Sequence, residues 1–319
     1  MAMLTPARVA AQAEMLANRV AKRFRHLHPR MEREGVGAFR LYDRDIPEVR
    51  AVVDWYEGHL VVGEYARAQT DLVDDWVGTM ARAVASALGV ADDKVHVRSR
   101  SNRPKDGPRY NCLGQRGERL IVREGALRFY VNLDDDLDTG LFTDHRITRA
   151  RVMAESSGRR VLNLFGYTGS FTCAAAKGGA AETTTVDASG RSLEWAEDNL
   201  ELNGLAGPVN AMVRDDAVSY LARTAREGRR WDLIVLDPPS FSTRGGSMDL
   251  DIQRDHRALV ESALGALSDR GVLWFSTSHQ RFLPQLDGLP TRTLREVTAE
   301  TIPEDHRNHN VHRCWRIER

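Results

Sequence analysis

The sequence predicts an α/β fold, a mostly parallel sheet of seven strands covered on both faces by helices, behind a smaller α+β module. Three observations predict it. From residue 160 onward, apolar strand candidates alternate with helix candidates, and such alternation calls for crossover connections and hence a parallel sheet. The first strand candidate runs into a turn holding Gly166 and Gly169 ahead of an Ala-rich helix, the place where open α/β sheets bind ligands. Before residue 131 the grammar differs, with one long helical stretch and then short β-rich runs punctuated by Pro47 and Gly58. The division is therefore placed between residues 1–130 and 131–319.

Each element has its own signal. Residues 6–34 set Val9, Met15, Leu16, Val20 and Phe24 roughly on one stripe, with Arg19, Lys22, Arg23 and Arg25 among them, the pattern of an amphipathic helix. Runs at 38–42, 51–56 and 60–65 read as a small antiparallel meander. A helix over 71–88 stops at Gly89. Short strands between 95 and 131, around Gly107, Gly114, Gly117 and Gly125, suit hairpins. The sheet strands fall at 160–165, 183–187, 209–213, 233–236, 272–275, 291–298 and 312–317, with helices at 170–177, 189–202, 216–226 and 248–267.

Composition narrows the function classes. The 319 residues carry 45 basic and 45 acidic side chains, so affinity for nucleic acid must come from a local patch and not from a global field. No run approaches the ~18 uninterrupted apolar residues of a membrane helix, and no membrane partner is expected. Cys112, Cys173 and Cys314 are far apart and form no Cys-x-x-Cys pair, which points away from a disulfide framework and toward a reducing cytoplasm. Residues 1–8 show no apolar leader, so no secretory signal is expected. Oligomeric state is not encoded in any pattern here.

The chemistry gathers at the strand ends. Leu162-Asn163-Leu164-Phe165-Gly166-Tyr167-Thr168-Gly169-Ser170 is a strand, a turn that brings a ligand close to the backbone, and a helix start with unbonded N–H groups. Its Gly-x-x-Gly lacks the dinucleotide fingerprint, which disfavours a nicotinamide cofactor. Asp187 ends the second strand, where a carboxylate accepts from both hydroxyls of a ribose. Asp215 and Asp216 follow the third, where a carboxylate or the Ala217 backbone meets an adenine edge. The fourth strand ends in Asp237-Pro238-Pro239-Ser240-Phe241. Two prolines withdraw two N–H donors and leave carbonyls to face a planar base, with Phe241 placed to stack on it.

These residues resemble the class I S-adenosylmethionine-dependent methyltransferases, whose Rossmann-like sheet has seven strands with the last reversed. More closely, the runs at 137–146 (Leu-Asp-Thr-Gly-Leu-Phe-Thr-Asp-His-Arg), 183–187, 193–199, 203–205 and 253–256 resemble the RlmK half of the RlmKL family of ribosomal-RNA methyltransferases. The similarity continues through 40–43 and 312–315 and so covers nearly the whole chain. It implies S-adenosyl-L-methionine as cofactor and a structured RNA partner, 23S ribosomal RNA, methylated at guanine N7. It also implies cofactor contacts from Phe142, Asp144 and Arg146, Asp144 meeting the ammonium and Arg146 orienting the loop, and from Asn163, Phe165, Tyr167, Thr168, Gly169, Asp187, Ala188, Asp216, Ala217 and Asp237. The resembled fused enzymes carry a further RNA-binding domain and a second methyltransferase unit, neither of which is expected within these 319 residues.

Pyrimidine C5 methylation needs a cysteine thiolate to add to the ring, and neither 237–241 nor 275–279 supplies one. Guanine N7 carries an exposed lone pair and no proton, so positioning is most of its catalysis. Asp237, Pro238 and Ser240 would then hold the guanine without a covalent nucleophile. Exocyclic-amine methylation of RNA or a small molecule stays open, as does an RNA-binding assembly factor without turnover. RNA contacts are expected from 98–128, where nine basic residues face three acidic ones, with Arg98, Arg100, Arg103, Lys105 and Arg109 leading; a solvated hairpin face is the alternative. His306-x-x-His309-x-x-His312 has metal-like spacing, yet Pro303 and the final strand argue against a helix there, and no metal is expected. His256 either faces the pocket or caps a hydrogen-bond network.

Overall fold

The computed structural model describes residues 4–65, 70, 73–100, 117–135, 138–242 and 249–319, without the side chains of 99 and 100. Two compact units form: residues 1–139 with 304–307, and residues 140–303 with 308–319. Compared with the division expected at 130/131, the first unit keeps residues 131–139 and takes back a short segment near the end of the chain. The reason is local. The Asp305 carboxylate accepts the Arg40 backbone N–H at 2.9 Å, while Arg30 reaches Glu304 at 2.6 Å and Arg307 reaches Asp45 at 3.0 Å.

In the first unit, α1 (Pro6–Arg33) is capped by the Thr5 side chain and buries Val9, Leu16, Val20, Leu27 and Met31. Strands β1 (Ala38–Asp43), β2 (Ala51–Tyr56) and β3 (His59–Tyr65) form the expected meander. Helix α2 (Trp76–Leu88) then crosses over, so β4 (Val95–Arg100) lies parallel to β3 and not in a hairpin. A helical connection of that length is what parallel pairing requires. The hairpin of β5 (Leu120–Glu124) and β6 (Leu127–Val131) follows.

In the second unit, α3 (Arg146–Glu155) precedes the sheet. The sheet strands are β7 (Arg160–Leu164), β8 (Glu182–Asp187), β9 (Asn210–Arg214), β10 (Trp231–Leu236), β13 (Leu267–Thr277), β14 (Thr293–Glu296) and β15 (Arg313–Glu318). Between them lie α4 (Ser170–Lys177), α5 (Gly190–Leu202), α6 (Ala217–Glu227), the two-residue strands β11 (Phe241–Ser242) and β12 (Leu250–Asp251), α7 (Ile252–Gly265) and α8 (Thr298–Thr301). The seven-stranded order is β14-β15-β13-β10-β7-β8-β9, parallel from β9 to β13 with β15 reversed. Order therefore switches between β7 and β10, which opens a crevice at their carboxyl ends. Helix α7 starts four residues later than expected because 250–251 pair with 241–242 and Asp251 caps its N-terminus.

The central strands are largely apolar, as strands covered on both faces must be; Leu162, Leu164, Ile234, Leu236 and Leu273 are fully buried. One carboxylate ties three of them at their amino ends. Asp232 on β10 accepts from the Arg160 backbone N–H and guanidinium of β7 at 3.0 and 3.2 Å and from Ser268 Oγ of β13 at 2.7 Å. Burial works against its charge, yet these donors hold its carboxyl at about 2 against the usual 3.8. A depressed folded value means the stabilisation is complete above pH 3.8 and is lost as pH falls toward 2. In urea titrations between pH 5 and 2, D232N should start less stable than wild type and lose less stability on acidification. Parallel curves would contradict this.

Candidate active site

Every group expected around the cofactor belongs to the second unit, at or near the carboxyl ends of β7, β8, β9 and β10. The turn after β7 is strained. Phe165 and Tyr167 sit at φ of 56° and 47°, a left-handed conformation that non-glycine residues avoid and that clusters at functional sites. Asp187 at the end of β8 holds it in place. Its Oδ2 accepts the Tyr167 N–H and its Oδ1 the Ser189 N–H, both at 2.9 Å. Each oxygen keeps a lone pair for a further donor. Burial raises the carboxyl above its usual range and these two amide donors counter the rise.

The glycines of the turn answer to packing. A Cβ on Gly166 would lie 2.3 Å from Thr185 Cγ2, and one on Gly169 would lie 2.6 Å from Ala196 Cβ of α5. Beneath the turn, Asn163 is buried, donates to Thr172 Oγ1 at 3.0 Å, and Thr172 bonds Thr185 at 2.6 Å. Asn163 therefore supports the turn from below and is not presented to a cofactor. Thr168 is a second strut: its hydroxyl donates to Gly140 O at 2.6 Å and its carbonyl accepts from Asn199 of α5. Phe142, 43% exposed, places its ring 5.6 Å from that of Tyr167, and its carbonyl accepts from Arg149. Arg146 opens α3.

On the other side, Asp216 caps α6 by accepting the Ser219 N–H at 3.0 Å. This leaves Ala217, at the first helical position, with an N–H that the helix does not use. Ala188 gives its carbonyl to Arg214, and Asp215 pairs with Arg223 at 2.6 Å. The floor of the crevice is Asp237, whose Oδ1 accepts from Ser276 Oγ of β13 at 2.6 Å. Pro238 is buried behind it, while Ser240 gives its carbonyl to Ile252 N. Phe241 is 46% exposed, with His279 at 6.2 Å between ring centroids.

A buried histidine pair that sequence reading missed completes this floor. His145 Nε2 lies 3.5 Å from Asp237 Oδ2 and 3.8 Å from Asp144 Oδ2. His312 Nδ1 donates to Asp144 Oδ2 at 2.9 Å, and its Nε2 meets Thr301 Oγ1 at 3.1 Å. Asp144, expected to meet an ammonium, is thus first a partner of His312. The signal was the Asp144-His145-Arg146 run itself, whose middle residue was passed over. Asp144, His145 and His312 offer ligand atoms within 4.8 Å of one another. Their imidazoles, however, stack 12° from parallel at 4.4 Å, so the in-plane lone pairs run side by side and do not converge on one ion. Of the His306, His309 and His312 run, His306 pairs with Asp305 in the first unit.

His256 caps a network. Its Nδ1–H donates to Ile252 O and its Nε2 accepts from Gln285 N at 2.8 Å, while Gln253 clasps both the N–H and the C=O of Leu283. Of the expected RNA contacts, Arg98 is a correction: it is buried and donates to the carbonyls of Leu133 and Asn132. Arg123, another of the nine, is held by Glu57 and Glu32. Arg103, Lys105 and Arg109, like Cys112 and the side chain of Arg100, lie outside the described residues.

A sequence profile described as S-adenosylmethionine-dependent methyltransferase matches residues 38–282. Ribosomal RNA large subunit methyltransferase K of Neisseria meningitidis serogroup B is 42% identical over 307 residues, 94% of this chain and 86% of that protein. Ribosomal RNA large subunit methyltransferase K/L of Syntrophotalea carbinolica is 42% identical over 312 residues, 96% of this chain, which spans 43% of that longer protein. Among solved structures, SMU.776, a methyltransferase complexed with SAH, superposes with a TM-score of 0.74 at 23% identity over 95% of this chain and 82% of that one.

The packing at the turn yields a direct check. Gly169→Ala places a methyl against Ala196 in a left-handed backbone and should cost about 1–3 kcal/mol in urea unfolding. Gly207→Ala, where an added Cβ meets nothing within 4 Å, should be neutral or slightly stabilising. Equal effects at the two sites would refute the packing role of Gly169.

Proposed function

This chain belongs to the S-adenosylmethionine-dependent methyltransferases, and from that premise we propose that it transfers a methyl group to guanine N7 in 23S ribosomal RNA or a related structured RNA. The observation that carries the reading is the floor of the crevice. Asp237, Pro238 and Ser240 stand at the end of β10, beside the strained turn, with a hydroxyl bonded to the carboxylate, an imidazole 3.5 Å from it and no thiol among the described residues of that wall. Cys173 and Cys314 are buried, and burial pushes the Cys173 thiol up to about 12 and that of Cys314 higher still. Neither is a nucleophile at neutral pH.

The crevice fits the cofactor. The Asp187 oxygens keep lone pairs suited to a ribose, the Phe142 and Tyr167 rings flank the turn, and the Ala217 N–H suits an adenine edge. S-adenosylmethionine supplies an electrophilic methyl there. The chain's own residues do the rest: Asp237 and the carbonyls of its Pro-Pro run hold and orient the base, Phe241 stacks on it, and the apolar rings exclude water. No general base is needed, since N7 bears no proton. The names of the relatives supply the ribosomal RNA substrate, and the resemblance in the Asp144 and Gln253–His256 runs supplies the N7 position. Exocyclic-amine methylation, which would use Asp237 to accept an amine hydrogen, is the second reading. The assembly-factor reading predicts RNA binding without methyl transfer.

Two measurements test this. Wild-type protein incubated with labelled methyl donor and naked 23S RNA, assembled large subunits or tRNA should yield label at a guanine that borohydride and aniline cleave. Label without scission would overturn N7. By calorimetry Asp187→Ala should weaken S-adenosylmethionine binding by roughly 100-fold or more, the loss of two hydrogen bonds to a charged group. Unchanged affinity would displace the cofactor from this crevice.

A further inference from the structure

We propose that His145 is a positioning residue for Asp237, holding its carboxylate in the charged, base-facing geometry and releasing that geometry when the imidazole is protonated. The proposal rests on the reading of Asp237 as the carboxylate that holds the base. Asp237 is bonded on one side and faced on the other: Ser276 Oγ donates to Oδ1 at 2.6 Å, while His145 Nε2 stands 3.5 Å from Oδ2, within electrostatic reach but beyond a normal hydrogen bond. Oδ2 therefore keeps its lone pairs to meet a base edge.

The groups facing His145 come from every element packed on it. Asp144 precedes α3, Asp237 follows β10, His312 precedes β15, Arg149 lies on α3, and Phe171 of α4 meets the ring edge-on at 5.7 Å. His312 is itself fixed by Asp144 and Thr301. The His145 ring is 4% exposed, and its Nδ1 has no hydrogen-bond partner among the described residues. Burial lowers its pKa below 6.5, with the two carboxylates opposing and His312 and Arg149 adding to the fall. At neutral pH it is therefore uncharged.

The distinction matters because quaternising N7 puts a positive charge on the purine. A charged Asp237 beside that base stabilises the developing cation. An imidazolium at 3.5 Å would cancel the carboxylate's charge at the moment it is needed, and it would pull Oδ2 into an ion pair. The His312 imidazole stacked at 4.4 Å further disfavours a charge on His145.

Wild type, H145Q and H145F are compared from pH 5 to 8.5 for kcat and both KM values, with unfolding midpoints measured alongside. Wild-type kcat should fall about tenfold per pH unit on an acid limb beginning below 6.5. H145Q keeps a donor that cannot ionise, and its kcat should stay flat within about threefold. H145F should lose about 100-fold in kcat with KM for the donor unchanged. In the resting protein, the Asp237 13Cγ resonance should step as His145 titrates and lose that step in H145Q, a reading that needs no turnover. An unshifted acid limb or a retained 13Cγ step in H145Q, or wild-type turnover in a folded H145F, overturns the proposal. Label without scission overturns the N7 reading and leaves the pH comparison standing.

Discussion

The second unit's site depends on one carboxylate. Asp187 accepts two backbone N–H groups, one from Tyr167 and one from Ser189, and so fixes the turn after β7 and the start of α5 together. The turn needs that help. Left-handed backbone at two bulky residues costs about 1–2 kcal/mol each, while each hydrogen bond to a charged acceptor returns about 1.5–3 kcal/mol. The same half-buried carboxylate ends β8 beside that turn, so the group that stabilises the strained turn is also the one proposed to grip a ribose. Structure and recognition meet at a single pair of oxygens.

The rest of the crevice follows from what packs beneath. Asn163, Thr172 and Thr185 form a buried polar chain under the turn, and Thr168 links it to Gly140 and Asn199. Groups bonded in this way resist displacement, because breaking one leaves a buried polar atom without its partner. On the opposite wall, Asp237 accepts from Ser276 and is faced by His145, while His312 bridges Asp144 and Thr301 next to it. The proposed reading gives the first wall to a nucleoside and the second to a flat base.

Much of this was legible in the sequence, and the reasons are local. Strands β7 and β10 announce themselves as mostly apolar runs ending in Phe-Gly and Asp-Pro-Pro, and β8 as a β-branched run of three threonines and Val186 ending in Asp187, as parallel strands buried on both faces favour. Asp187, Phe165 and Tyr167 sit where strand ends put them. What escaped depends on contacts between residues distant along the chain. Nothing near Arg98 shows that its guanidinium will be covered by the carbonyls of Leu133 and Asn132. Asn163 reads as a ligand-facing polar residue until Thr172 is found beneath it. The parallel pairing of β3 with β4 is invisible until α2 is seen to cross over, and His145 acquires meaning through Asp237 and His312, both far away in sequence.

The central claim is that a methyl-donor nucleoside lies between the strained turn and Asp187. A crystal structure of this chain with S-adenosylhomocysteine tests it most directly. The account predicts both ribose hydroxyls within hydrogen-bonding distance of the Asp187 oxygens, with Tyr167 keeping its left-handed backbone. A ligand seated elsewhere, or one whose ribose makes no contact with Asp187, would contradict it.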